Sequence, residues 1–124
     1  MTITYTTDLA TVRALVREQA SAAGLPKARV ADLVLAVSEV AANTVRHARS
    51  AGTLTITRDA VEIICEVRDA GVISDPLAGR RTPVPGALNG HGLWLVYQVC
   101  DRVELLSGAD GTTVRMHMRV GDRG

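Results

Sequence analysis

The chain has 124 residues, 47% hydrophobic and 22% charged, a balance that suits one folded domain spanning 1–124 and not a disordered tail. Lysine plus arginine (14) nearly cancels aspartate plus glutamate (13), which excludes the strongly basic field of a non-specific nucleic-acid binder. No apolar run approaches the ~20 residues of a membrane span, and the start MTITYTTDLA lacks the basic opening and apolar middle of a signal peptide, so the expected location is cytoplasmic.

Thr2 to Tyr5 alternates and reads as an edge strand. Leu9, Val12, Leu15, Val16 and Ala20 then recur at helical spacing, predicting a helix over 9–23. Gly24 closes it and Pro26 opens the next, the usual placement of these residues at helix boundaries. From Pro26 to about Arg49 there is no further Gly or Pro, and Leu33, Val34, Val37, Ala41 and Thr44 mark one face of a long helix. After Gly52 the period becomes two. Leu54 and Ile56 alternate with Thr53, Thr55 and Thr57, and after a turn at Arg58-Asp59 the residues Val61, Ile63, Cys65 and Val67 alternate with Glu62, Ile64, Glu66 and Arg68. Two such strands make a hairpin.

The next stretch, about 20 residues from 70 to 90, carries three of the four prolines (Pro76, Pro83, Pro85). A segment of that length without regular structure is typical of a lid or binding loop. A short helix follows from Leu93 to about Cys100, then a second hairpin, Val103–Leu106 and Thr112–Val120, across Ser107–Gly111. This order predicts an α/β (α+β) two-layer sandwich with a mixed, mostly antiparallel sheet. Helices would cover one face, and the other, rich in Thr, Arg and Glu, would be left in water. Tyr5, Trp94 and Tyr97 are the only aromatics, so the core is aliphatic; Cys65 and Cys100 sit in apolar segments as small core residues.

Four groups of residues could carry chemistry. Glu39, Asn43 and His47 are four apart on the long helix and form one ridge, roughly 130° from the centre of the apolar stripe. A solvated polar face is the plain reading; the apolar neighbours Ala36, Val40, Ala42 and Val45 argue against a fully wet surface. Asp69 has the strand parity of Val61, Ile63, Cys65 and Val67, and an inward carboxylate must find donors. It could equally be a turn-forming Asp-Ala-Gly, and Gly71 would let a ligand approach the backbone. Gly90-His91-Gly92-Leu93 precedes a helix, where free N–H groups and the helix dipole favour phosphate; a helix-entry turn is the simpler account. Gly111-Thr112 opens a strand with the Thr112 hydroxyl on the covered side. Rossmann and P-loop patterns are absent, and the histidines and cysteines show no zinc-ligand spacing.

Taken in order, Glu39-x-x-x-Asn43, Asp69-x-Gly71, a lid, Gly90-x-Gly92 and Gly111-Thr112 resemble the nucleotide-binding motifs of the GHKL (histidine-kinase-like) ATPase superfamily over about residues 8 to 120. Within that superfamily the run Glu39–His47, Gly-Leu-Trp-Leu-Val (92–96) and Asp-Gly-Thr-Thr-Val (110–114) look most like the anti-sigma-factor serine kinases. The resemblance implies the GHKL (Bergerat) ATP-binding fold with ATP and Mg²⁺ as cofactors. By it, Asn43 would hold the metal and Glu39 would act as general base toward a partner serine. Asp69 would accept from the adenine amino group, with Gly71 giving the base room and Thr112 supporting it. Gly90, His91, Gly92 and Leu93 would face the phosphates. Implied partners are a sigma factor and an anti-anti-sigma (STAS-type) protein, with the chain itself a homodimer and no contact with nucleic acid or membrane. Ile73 stands where the usual pattern has a second glycine, and Arg80 and Arg81 are the lid's cationic candidates for the terminal phosphate.

Three other readings remain at this point. A nucleotide-dependent binding module would grip its partner without phosphoryl transfer. The ATP-binding half of a sensor histidine kinase would need dimerising helices for which the chain has no room. A small adaptor would bind no nucleotide.

Overall fold

The first two helices are joined by a break that the sequence writes in three residues. Helix α1 (Leu9–Ala22) is capped by Asp8, whose carboxylate accepts from the Thr11 amide at 3.1 Å. At its other end Gly24 adopts φ +95°, its N–H donates to the Ser21 carbonyl at 3.0 Å, and the Leu25 N–H reaches the Ala20 carbonyl at 3.3 Å. That pair of bonds is the Schellman arrangement, which needs a left-handed residue after the helix. Pro26 then offers its carbonyl to the amides of Arg29 and Val30, both at 2.9 Å, and α2 (Lys27–His47) begins.

The computed structural model describes residues 1–47, 51–70 and 91–120. Within these, strand β1 (Thr2–Tyr5) precedes the two helices, and β2 (Gly52–Arg58) and β3 (Glu62–Asp69) follow them. Helix α3 (His91–Val99) and the hairpin β4 (Arg102–Gly108) and β5 (Gly111–Arg119) complete the order. The strands form one sheet, β1-β2-β3-β5-β4, and every described pairing is antiparallel. The expected elements are present. The second turn is tighter than expected, since Gly108 already pairs with Gly111 and only Ala109 and Asp110 connect the strands.

Alternation along the strands decides which face is covered. Leu54, Ile63, Cys65, Met116 and Met118 are completely or almost completely buried beneath α1 and α2, whose Val12, Val16, Leu33 and Val37 are equally inaccessible. Helix α2 packs against β2, β3 and β5, with α1 on one side of it and α3 on the other. Val61, which strand parity assigns to the covered side, is exposed instead. It belongs to the turn, where the Asp59 carboxylate accepts from the amides of Val61 and Glu62 at 2.7 and 3.0 Å.

The helix-free face is less wet than its composition suggests. His117 lies there yet is only 7% exposed. Its Nε2 faces Glu104 Oε1 at 2.7 Å and its Nδ1 faces Glu62 Oε1 at 3.1 Å, so side chains from the two neighbouring strands cover the ring. The hydrogen bond to His117 holds the Glu104 carboxyl below the usual carboxylate range. Arg115 Nε donates to Glu66 Oε2 at 2.7 Å beside them.

Burial pushes both free thiols, Cys65 and Cys100, from an ordinary value of 9.0 up to about 12. The unfolded chain therefore releases these protons at lower pH than the folded one. Their contribution to stability is complete below about pH 9 and is lost as pH rises toward about 12. Urea unfolding should show lower stability at about pH 10 than at about pH 7, and the decline should be shallower in Cys65→Ala/Cys100→Ala.

Candidate functional site

Three elements converge at the inner end of β3. Asp69, its last residue, is half-buried and pairs in register with Thr112 of β5. Its side chain turns toward the helices, as parity requires, and Thr44 of α2 meets it there. Thr44 is 1% exposed, and its hydroxyl donates to Asp69 Oδ2 at 2.7 Å. The alternative acceptor, the Val40 carbonyl one turn back, is 3.5 Å away, too long to compete with a charge-assisted bond. Thr44 Oγ1 in turn accepts from the Tyr5 hydroxyl at 3.1 Å. Burial of Tyr5 pushes its phenol above the ordinary tyrosine value, and the Asp69 charge adds to that rise while the Thr44 bond opposes it.

Two glycines shape this corner. Gly52 pairs with Tyr5, and a Cβ there would fall on the Tyr5 hydroxyl and ring. The ring therefore lies across β2 only because residue 52 has no side chain. Gly111 has φ +114°, and a Cβ on it would meet the Asp69 carbonyl oxygen. Thr112, next along, is 5% exposed, and its hydroxyl lies 2.7 Å from that of Ser107 on β4.

Asn43 immediately precedes Thr44, and Glu39 lies one turn earlier; both are half-buried. Between their ridge and the core stripe lie Ala36 and Val40, 0% and 3% exposed, so α2 is covered well beyond its sheet-facing stripe. The groove between α1 and α2, lined by Arg13, Arg17, Leu25, Lys27, Val34 and Leu35, is roughly 130° round α2 from that ridge.

Helix α3 starts at His91, two residues before the sequence-based boundary, so Gly92 belongs to its first turn and Leu93 is buried. The first amide groups of any helix lack intrahelical acceptors, and here they belong to His91, Gly92 and Leu93. Gly71, Ile73, Arg80, Arg81 and Gly90 lie outside the described residues, as does the expected lid; the His47 side chain is likewise not described. The structure thus brings Asp69, Thr112 and the residue after Asn43 to one point. Thr44 and Tyr5 were missed as site residues. A hydroxyl within an apolar stripe reads as core, although an inward carboxylate on the facing strand was a signal that some helix donor must exist.

The donor set suits a nucleotide carrying Mg²⁺. Asn43 offers one hard carboxamide oxygen, and Mg²⁺ takes few protein ligands beside water and phosphate, while Asp69 offers a carboxylate acceptor suited to a base amino group. Among the described residues no group of three or more His, Cys, Asp or Glu side chains could hold a metal alone.

A family model described as a histidine kinase-like ATPase domain matches residues 4–118. No curated protein sequence matches the chain. One similar solved structure is that of the RsbU and RsbW domains of Rv1364c from Mycobacterium tuberculosis, at TM-score 0.66 and 21% identity, covering 100% of this chain and 34% of that one. Another is the histidine kinase domain of the Erythrobacter litoralis EL346 blue-light-activated histidine kinase, at TM-score 0.61 and 17% identity, covering 90% and 59%. This chain therefore spans about a third of the length of the first and about three fifths of the second. At these identities the likeness is one of fold.

Replacing Gly111 by Ala should cost about 1–3 kcal/mol, because the residue is left-handed and the added methyl overlaps the Asp69 carbonyl. Chemical denaturation of the variant beside the parent measures it.

Proposed function

The chain belongs to the histidine kinase-like ATPase family, and from that premise we propose that it is an ATP- and Mg²⁺-binding regulatory serine kinase that also sequesters a sigma factor. The observation that carries this reading is the Asp69–Thr44 bond. It sets the Asp69 carboxylate beside the helix residue that follows Asn43, opposite Thr112, which supports reading that carboxylate as the acceptor for a base amino group. Asp69 would take the adenine amino group, with Gly71 and Thr112 around the base. Asn43 would hold Mg²⁺ through its carboxamide oxygen, and the helix-start amides at His91, Gly92 and Leu93, with Gly90 before them, would receive the phosphates. Bound Mg²⁺ supplies charge neutralisation on the phosphates, so positioning is most of what the protein must contribute to phosphoryl transfer. Glu39, one turn before Asn43, would accept the proton of the attacking serine hydroxyl.

The finer identity rests on the resemblance of 39–47, 92–96 and 110–114 to anti-sigma-factor serine kinases, and the fold likeness to a chain with an RsbW domain supports it. On that reading the phosphorylated partner is an anti-anti-sigma protein of STAS type, and the working form is a cytoplasmic homodimer. A second reading, a nucleotide-dependent binding module without transfer, is favoured by Ile73 in place of a lid glycine.

Calorimetry with ATP, with and without Mg²⁺, tests the nucleotide assignment. Asp69→Asn should weaken ATP by about 10- to 100-fold, the range for loss of a charged hydrogen-bond partner. Asn43→Ala should abolish the difference made by Mg²⁺. Two variants that bind ATP–Mg²⁺ as the parent does would overturn the assignment. Transfer of labelled phosphate to the partner separates kinase from module: Glu39→Ala should slow it by about 10²- to 10⁴-fold while leaving ATP affinity in place. A parent that binds ATP and transfers nothing is the module.

A further inference from the structure

The geometry points to Tyr5 as a positioning residue for the nucleobase, acting through Thr44 on Asp69; this rests on the nucleotide reading above. Thr44 has one hydroxyl proton and two candidate acceptors, Asp69 Oδ2 at 2.7 Å and the Val40 carbonyl at 3.5 Å. Tyr5 donates its own proton to Thr44 Oγ1 at 3.1 Å, which occupies the oxygen from the side of β1 and leaves its proton aimed at the carboxylate. Protons in the chain Tyr5–Thr44–Asp69 therefore all run toward Asp69. Such a chain polarises each member toward the charged end. It holds Oδ2 of the carboxylate that would receive the base amino group.

A packing observation supports the same role independently. Tyr5 stands on the edge strand and Asp69 on the central one, with β2 between them. The phenol bridges that gap because Gly52, its register partner, leaves the space a side chain would fill. The ring is 4% exposed, and a phenylalanine would fill the same volume. What phenylalanine lacks is the hydroxyl, so the proton order at Thr44 is what the tyrosine adds.

The test uses ATP and inosine triphosphate, which carries an oxygen where adenine has its amino group. In Tyr5→Phe, ATP should bind about 3- to 10-fold more weakly, the range for one hydrogen bond, while inosine triphosphate affinity stays as in the parent. Thr44→Val should lose at least as much, and adding Tyr5→Phe to it should change nothing further, since the path is already cut. Thr44→Ser, which keeps the hydroxyl, should keep the preference for ATP. Equal weakening of both nucleotides in Tyr5→Phe means a structural role alone and overturns the inference, as does an unchanged preference. Additive losses in the double variant overturn it too. Should Tyr5→Phe melt too low to titrate, the contrast between Thr44→Ser and Thr44→Val decides: a retained ATP preference in Thr44→Val overturns the inference. A parent that prefers ATP, with Tyr5→Phe keeping that preference in full, removes this inference alone. A parent that binds neither nucleotide removes the functional reading with it.

Discussion

A carboxylate turned toward the helix-covered side of a sheet loses much of its hydration and must be met by donors from the protein. Asp69 is that carboxylate, and the hydroxyl of Thr44 meets it at 2.7 Å. The bond ties the inner end of the central strand to the second half of α2. It thereby sets where the Glu39–Asn43 ridge lies relative to the sheet. Gly111 completes the corner from β5 by leaving room for the Asp69 carbonyl, which brings Thr112 into register. A displaced α2 would take the Thr44 hydroxyl away from this carboxylate, and a displaced β5 would open the turn beside it.

Most of the framework was legible because its signals are periodic. The aliphatic stripe of α2 and the two-residue alternation of β2, β3 and β5 mark the buried faces, and Gly24 and Pro26 mark the one sharp break between helices. Features that depend on contacts remote in sequence were not legible. Tyr5 and Thr44 are 39 residues apart, and nothing in either segment encodes the other. His117 has the parity of a solvent-facing residue, yet glutamates from two adjoining strands enclose it. Helix α3 begins at His91, where a glycine on each side had suggested loop; propensity alone disfavours Gly92 in a helical turn, and packing of Leu93 and Val96 into the core outweighs it.

Membership of the histidine kinase-like ATPase family agrees with how this chain distributes its polar groups. Among the described residues, Arg13, Arg17 and Lys27 line the α1–α2 groove, and Arg115 engages Glu66 on the opposite face of the sheet. On the proposed function, a base-binding end built from a carboxylate and hydroxyls would select by hydrogen-bond polarity. On the same reading, the metal and the helix amides share in neutralising the triphosphate.

The scarcity of aromatic residues has a practical side. Trp94 is the one indole in the chain, and it sits half-buried in the first turns of α3. Tryptophan emission from the unmodified protein therefore comes from that helix and nowhere else. Any event that alters the surroundings of α3 can be followed optically without a dye, in real time and at low concentration.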